Sequence, residues 1–202
     1  MSTHMQFGVP MYGRQATGSG LDLLQDELYS ACNAKKFANN PNWNKGTHEL
    51  SEDPFNDCVL KKHNCEKFLK HLDWCVQQYI KGIDDGDQIY QGGPNPTYKI
   101  QASWFTKTKK GQHAHMHAHG AADIAGVYYL ETNGNDGNLY LKNPLTVLCG
   151  SNFILGRTYN DITVPLKTGF LYLWPGFIQH GTAENKTDDD RISLSFNIHF
   201  EG

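Results

Sequence analysis

The chain has 202 residues, 39% hydrophobic and 12% aromatic, and carries 18 Lys+Arg against 21 Asp+Glu for a net charge of −3. That is enough apolar material for one packed domain and argues against disorder, and no basic surplus points to nucleic acid. No apolar run approaches the roughly 20 residues of a bilayer span, and five cysteines without a CxxC pair argue against a disulfide scaffold or a zinc knuckle.

The opening MSTHMQFGVPMYGRQ lacks the basic and apolar regions of a signal peptide. A cytoplasmic protein without a membrane segment is therefore expected. Leu21, Leu24, Leu28 and Ala31 recur at helical spacing, which predicts an amphipathic helix ending near Lys35 and Lys36. Turn formers dominate Asn39 to Pro54, read as an ordered loop. A longer helix is predicted from about Asn56 to Ile83. Its stripe of Cys65, Phe68, Leu69, Leu72, Cys75, Val76, Tyr79 and Ile80 suits packing against a sheet. Residues 1–83 thus read as a helical support.

After the turn-rich tract Asp84 to Pro96 the texture becomes β. Short β-prone runs are Thr97–Thr108, Ile124–Glu131, Asn138–Leu141, Ile162–Pro165, Phe170–Trp174 and Arg191–Phe200. The last alternates, with Ile192, Leu194, Phe196 and Ile198 on one face and Ser193, Ser195, Asn197 and His199 on the other. The expectation is a single domain that is mainly β: a jelly roll over residues 97–200, buttressed by the helices on one face.

Four of the ten histidines fall at alternate positions: His113, His115, His117 and His119. On an extended strand all four imidazoles share one side, and an HxH pair there is a natural two-nitrogen chelate. A third ligand must come from elsewhere, and His180, after the strand FLYLWPGFIQ, is the candidate. Arg191 opens the final strand, one of only three arginines in the chain. A guanidinium fork suits a carboxylate partner. The aromatics Trp104, Phe105, Tyr140, Trp174 and Phe177 read as core, with Trp174 and Phe177 alternatively shaping an entrance, and Cys149 to Asp161 reads as a lid.

The series GQHAHMHAHGAADIAGVYYL, GNLYLKNP, GFLYLWPGFIQHGT and RISLSFNIHF resembles the Fe(II)- and 2-oxoglutarate-dependent oxygenases, and within them a small uncharacterised branch related to prolyl hydroxylases. The resemblance implies a double-stranded β-helix fold. It implies oxidative decarboxylation of 2-oxoglutarate coupled to C–H oxidation, such as hydroxylation, of a small-molecule or peptide substrate. His117 and His180 match iron ligands, and His119 stands where most of the superfamily has Asp. Arg191 matches the residue that grips the far carboxylate of 2-oxoglutarate, Tyr129 the tyrosine that assists it, and Asn197 a position lining the pocket. Three ligand sets stay open: His117/His119/His180, a set in which Asp123 supplies the usual carboxylate, and a shifted register using His115 and His117. An apolar surround of Tyr129, Leu173 and Phe196 is expected for Arg191. The alternatives are a cupin-type three-histidine dioxygenase that uses no 2-oxoglutarate, and a non-catalytic jelly-roll module holding a metal for stability.

Overall fold

The final strand organises the molecule. The computed structural model describes residues 9–39, 47–51, 58–86, 96–144 and 161–201. Within it β10 (Arg191–Glu201) lies antiparallel between β4 (Thr97–Thr108) and β5 (Ile124–Glu131). Outside β5 come β8 (Phe170–Pro175) and then β1 (Tyr12–Gln15). Outside β4 come β3 (Glu49–Ser51) and β2 (Phe37–Asn39), completing seven strands in the order β1-β8-β5-β10-β4-β3-β2. A second sheet of three strands has the order β7 (Ile162–Val164), β6 (Leu139–Leu141), β9 (His180–Thr182).

Period-two alternation decides what each face of the large sheet covers. Ile124, Tyr128 and Leu130 of β5 pack with Leu194, Phe196 and Ile198 of β10 against the helices α1 (Gly18–Asn33) and α3 (Glu66–Gly86). Leu24 and Leu28 of α1 and Phe68, Leu72, Cys75 and Val76 of α3 supply the other half of that core. The opposite face of β5, Ala125, Val127 and Tyr129, meets Leu139, Leu141 and Val164 of the small sheet. With both faces covered, the strand is buried from Ile124 to Leu130. This is the helix-buttressed jelly roll expected from the sequence.

Three local expectations are corrected. The long helix is interrupted: α2 (Val59–Lys62) ends where Asn64 takes φ 56°, and α3 begins at Glu66. Asparagine tolerates this left-handed conformation better than most residues, and the apolar stripe does not register the break. The segment read as a loop holds the strand β3, and the edge strand β2 ends at its first residue, Asn39; their three-residue lengths are too short for a period to show. β1 and β9 also escape the sequence reading, because YGRQ and HGT have no apolar alternation. The proposed lid over Cys149 to Asp161 lies outside the described residues apart from Asp161.

Gly126 sits where the helix-side core presses on the sheet, and a Cβ there would meet the Phe196 ring and Leu173 Cδ2. Gly126→Val is therefore expected to lower unfolding free energy in urea by about 1–3 kcal/mol through overpacking. Unchanged stability would mean that Phe196 has another rotamer available.

Candidate metal centre

The histidine segment joins β4 to β5 and is zipped onto β9 and its flanks. Gly111 N–H donates to Asn185 O at 2.7 Å, Thr182 N–H to Ala114 O at 3.0 Å, and His119 N–H to Gly176 O at 2.8 Å. His117 and His180 exchange both backbone hydrogen bonds, at 2.9 and 2.8 Å. Such a reciprocal antiparallel pair puts its two side chains on the same side. Accordingly the His117 and His180 rings lie 4.3 Å apart, and His119, two residues on, lies 5.0 and 5.1 Å from them. Ligand nitrogens of all three fall within 4.8 Å of one another.

The other two histidines do not join them. From the Ala114–Thr182 contact to the His117–His180 pair, three residues on one side match two on the other, and the chain bends at Met116. An extra residue of this kind turns side chains to the opposite face. His113 and His115 instead pair with each other at 3.1 Å, with His115 exposed. The expectation of four imidazoles on one face is thereby corrected. Asp123 is occupied elsewhere: its Oδ2 accepts from Phe200 N–H at 2.8 Å and lies 3.0 Å from His199 Nδ1. Neither alternative ligand set is assembled among the described residues.

The three clustered imidazoles are held neutral. Burial, reinforced by His117, brings the pKa of His180 down to about 3 and that of His119 to about 4; burial also lowers His117. His117 Nδ1–H donates to His115 O at 2.7 Å and His180 Nδ1–H to Ile178 O at 3.0 Å. Fixing the proton on Nδ1 leaves the Nε2 lone pair for a metal. His119 is sandwiched between the His180 ring and Trp104, 5.9 Å away. A trio of neutral, oriented nitrogens suits Fe(II), so the residues present fit the ion that the resemblance implies.

All three histidines line a cavity of about 110 Å³ between the sheets, as do Arg191, Tyr129, Trp174 and the buried His48. Arg191 is only 2% exposed. Its Nη1 donates to the carbonyls of Asp136 at 2.6 Å and Gly137 at 2.5 Å, and its Nη2 to the hydroxyls of Thr108 at 3.2 Å and Thr182 at 3.0 Å. Gly137, at φ 99°, approaches the backbone of Ala183 too closely for any side chain. The surround expected for Arg191 is half right. Tyr129 faces it, and burial pushes that phenol well above its usual pKa. Leu173 belongs to the helix-side core, Phe196 packs in that core and also lines the cavity, and the groups that touch the guanidinium are threonines and carbonyls beside the wholly buried Asp136.

Asp136 escaped the sequence reading, though TNGNDGN is turn-rich. Its carboxylate accepts from Thr132 Oγ1 and Asn133 N–H and lies 4.0 Å from Arg191 Nη1. Asn197 lies on the cavity side of β10 with its Oδ1 buried, but is not among the cavity-lining residues. Of the aromatics read as core, Trp104, Phe105 and Trp174 are buried, whereas Tyr140 and Phe177 are exposed.

Residues 102–197 match a family described as "Putative 2OG-Fe(II) oxygenase". No curated protein matches the chain. Among solved structures, a prolyl-4-hydroxylase from Pseudomonas putida aligns with a TM-score of 0.57 at 13% identity, over 94% of this chain and 92% of the other. A prolyl hydroxylase from Trichoplax adhaerens, in complex with a hypoxia inducible factor peptide fragment, gives 0.58 at 13% identity over 94% and 83%. HygX from Streptomyces hygroscopicus, with nickel, 2-oxoglutarate and hygromycin B bound, gives 0.56 at 11% identity over 94% and 82%. At such identities the neighbours speak to the fold, the double-stranded β-helix. The family match adds the chemistry: over residues 102–197, just under half of its length, the chain is similar to the Fe(II)- and 2-oxoglutarate-dependent oxygenases.

Proposed function

We propose that His117, His119 and His180 hold Fe(II), that Arg191 with Tyr129 receives the distal carboxylate of 2-oxoglutarate, and that the oxygenase hydroxylates a peptide or small molecule. The observation carrying this reading is that three neutral imidazoles and one buried guanidinium line the same cavity. When bound, the Fe(II) and 2-oxoglutarate pair supplies oxidative decarboxylation coupled to C–H oxidation.

The protein's part is binding, orientation and exclusion of water. The backbone acceptors at His115 and Ile178 fix the tautomers of His117 and His180. Thr182 Oγ1 accepts from both Ala114 N–H and Arg191 Nη2, so its own hydrogen is left to donate to a carboxylate beside Arg191. Burial keeps the guanidinium desolvated, which strengthens its attraction for an anion. A histidine trio without a carboxylate leaves a bound Fe(II) with its full double charge, to be balanced by the 2-oxo acid.

A peptide or small-molecule substrate is in keeping with the peptide held by the Trichoplax enzyme and the hygromycin B in HygX. A cytoplasmic setting is in keeping with the free thiols of Cys32, Cys58, Cys65 and Cys75. A cupin-type dioxygenase would use the same three imidazoles, but it has no need of a buried guanidinium in the same cavity. The test is succinate formation from 2-oxoglutarate in air. Turnover with Fe(II) and none with Zn(II) is expected, and no succinate under any metal loading would refute the reading.

A further inference from the structure

Residues 183–190 connect the strand of one proposed metal ligand to the strand of the clamp: β9 (His180–Thr182) ends before them, and β10 opens after them with Arg191. The two strands belong to different sheets, so this connection helps set how far the guanidinium stands from the histidine trio. A co-substrate held at both ends needs that span fixed, because a misplacement of about 1 Å can cost about 100-fold.

Within the connection, Asn185 is 0% exposed and does not line the cavity. Every hydrogen-bonding group it carries is engaged. Its Nδ2 donates to Thr108 O at 3.0 Å and to Asp189 O at 2.8 Å. Its Oδ1 accepts from Thr187 N–H at 2.9 Å and from the Thr187 hydroxyl at 2.8 Å. Its backbone N–H donates to Gln112 O at 2.9 Å, and its carbonyl accepts from Gly111 N–H. Asn185-Lys186-Thr187 has the acceptor pattern for N-glycosylation, but here the threonine closes a turn onto a buried amide. One side chain thereby ties the end of β4, the opening of the histidine segment and the approach to Arg191.

Two of these contacts bear on the clamp. Thr108 pairs with Arg191 across β4 and β10, and its hydroxyl accepts from Arg191 Nη2 at 3.2 Å. Asp189 precedes Arg191 by two residues. Asn185 thus holds both the strand beside the guanidinium and the chain that enters it. The ion pair that also ties this loop, Lys110 Nζ to Asp188 Oδ1 at 2.7 Å, is exposed on both sides, and exposed pairs contribute little. A buried and fully paired amide is the stronger constraint.

We propose that Asn185 is a positioning residue for the co-substrate: it holds Thr108 and the approach to Arg191 where the guanidinium meets the distal carboxylate of a 2-oxo diacid bound at the histidine trio. The inference rests on the oxygenase reading and adds to it a residue outside the cavity.

The test measures binding, not turnover. The full chain loaded with Zn(II) is titrated with 2-oxoglutarate and with pyruvate, which keeps the 2-oxo acid end and lacks the distal carboxylate. Trp104 and Trp174 line the cavity, so tryptophan emission reports its occupancy. Asn185→Ala is expected to raise the half-saturating 2-oxoglutarate concentration roughly tenfold while changing that for pyruvate by less than about twofold. Thr187→Ala keeps both Nδ2 donations, removes one anchor from Oδ1, and should raise the 2-oxoglutarate value roughly two- to threefold. It decides the matter should Asn185→Ala not fold. An unchanged 2-oxoglutarate value in variants that keep the parent's circular dichroism, or equal weakening for pyruvate, would make Asn185 a packing residue. Either result overturns the inference and leaves the oxygenase reading standing. A parent protein that binds neither ligand would overturn both.

Discussion

His180→Ala is expected to lose metal-dependent stabilisation almost completely, while His113→Ala keeps it. A metal at 100 times its Kd stabilises a fold by about 2.7 kcal/mol through mass action. Losing one of three ligands should weaken binding by well over the 10–100-fold typical of losing an outer-shell partner, so that gain disappears at the same metal concentration. The contrast between the two histidines carries the test. Both belong to sequence patterns that chelate metals, but only His180 sits with His117 and His119 inside the cavity, whereas His113 is turned away against His115. Thermal unfolding with and without Zn(II) measures the difference. Loss in His113→Ala with retention in His180→Ala would mean that the metal sits on the exposed histidine pair.

Arg191→Ala is expected to act on both the fold and the co-substrate. The guanidinium ties two backbone carbonyls and two hydroxyls together beside Asp136, which is 0% exposed. Removing one member of a buried charged pair typically costs about 3–5 kcal/mol, because the group left behind stays buried without its counter-charge. Domains have about 5–15 kcal/mol in all. The variant should thus fold, with a clearly lower urea midpoint, and need orders of magnitude more 2-oxoglutarate. Arg191→Lys keeps the charge without the fork and should recover part of the stability and less of the affinity, since an ammonium cannot bridge Asp136, Gly137 and both threonines. An alanine variant with unimpaired 2-oxoglutarate affinity would remove Arg191 from the co-substrate site.

The long strands were legible because their patterns are long. Thr97–Thr108 and Ile124–Glu131 coincide with the runs read from the sequence, and alternation in RISLSFNIHF separated the helix-facing side from the cavity-facing one. The HxH element, His180 and Arg191 were legible because rare residue types stood at strand ends. What escaped depends on contacts that local pattern does not encode. The extra residue between Ala114 and His117 that parts the four histidines becomes visible only against β9. Asp136 looks like an ordinary turn residue until the fold brings Arg191 beside it. Asp123 looks like a ligand in HxHGAAD, yet Phe200 and His199 claim it. Phe177 reads as core by type, but the turn after Pro175 leaves it exposed.

Anaerobic absorption titration is the most direct check on three imidazoles and a guanidinium serving one Fe(II)–2-oxoglutarate complex. Adding 2-oxoglutarate to the Fe(II)-loaded protein should produce a metal-to-ligand charge-transfer band that His180→Ala abolishes and that Arg191→Ala shifts to far higher 2-oxoglutarate concentrations. Fe(II) binding with no such band at saturating 2-oxoglutarate would contradict the account and leave a three-histidine centre of another kind.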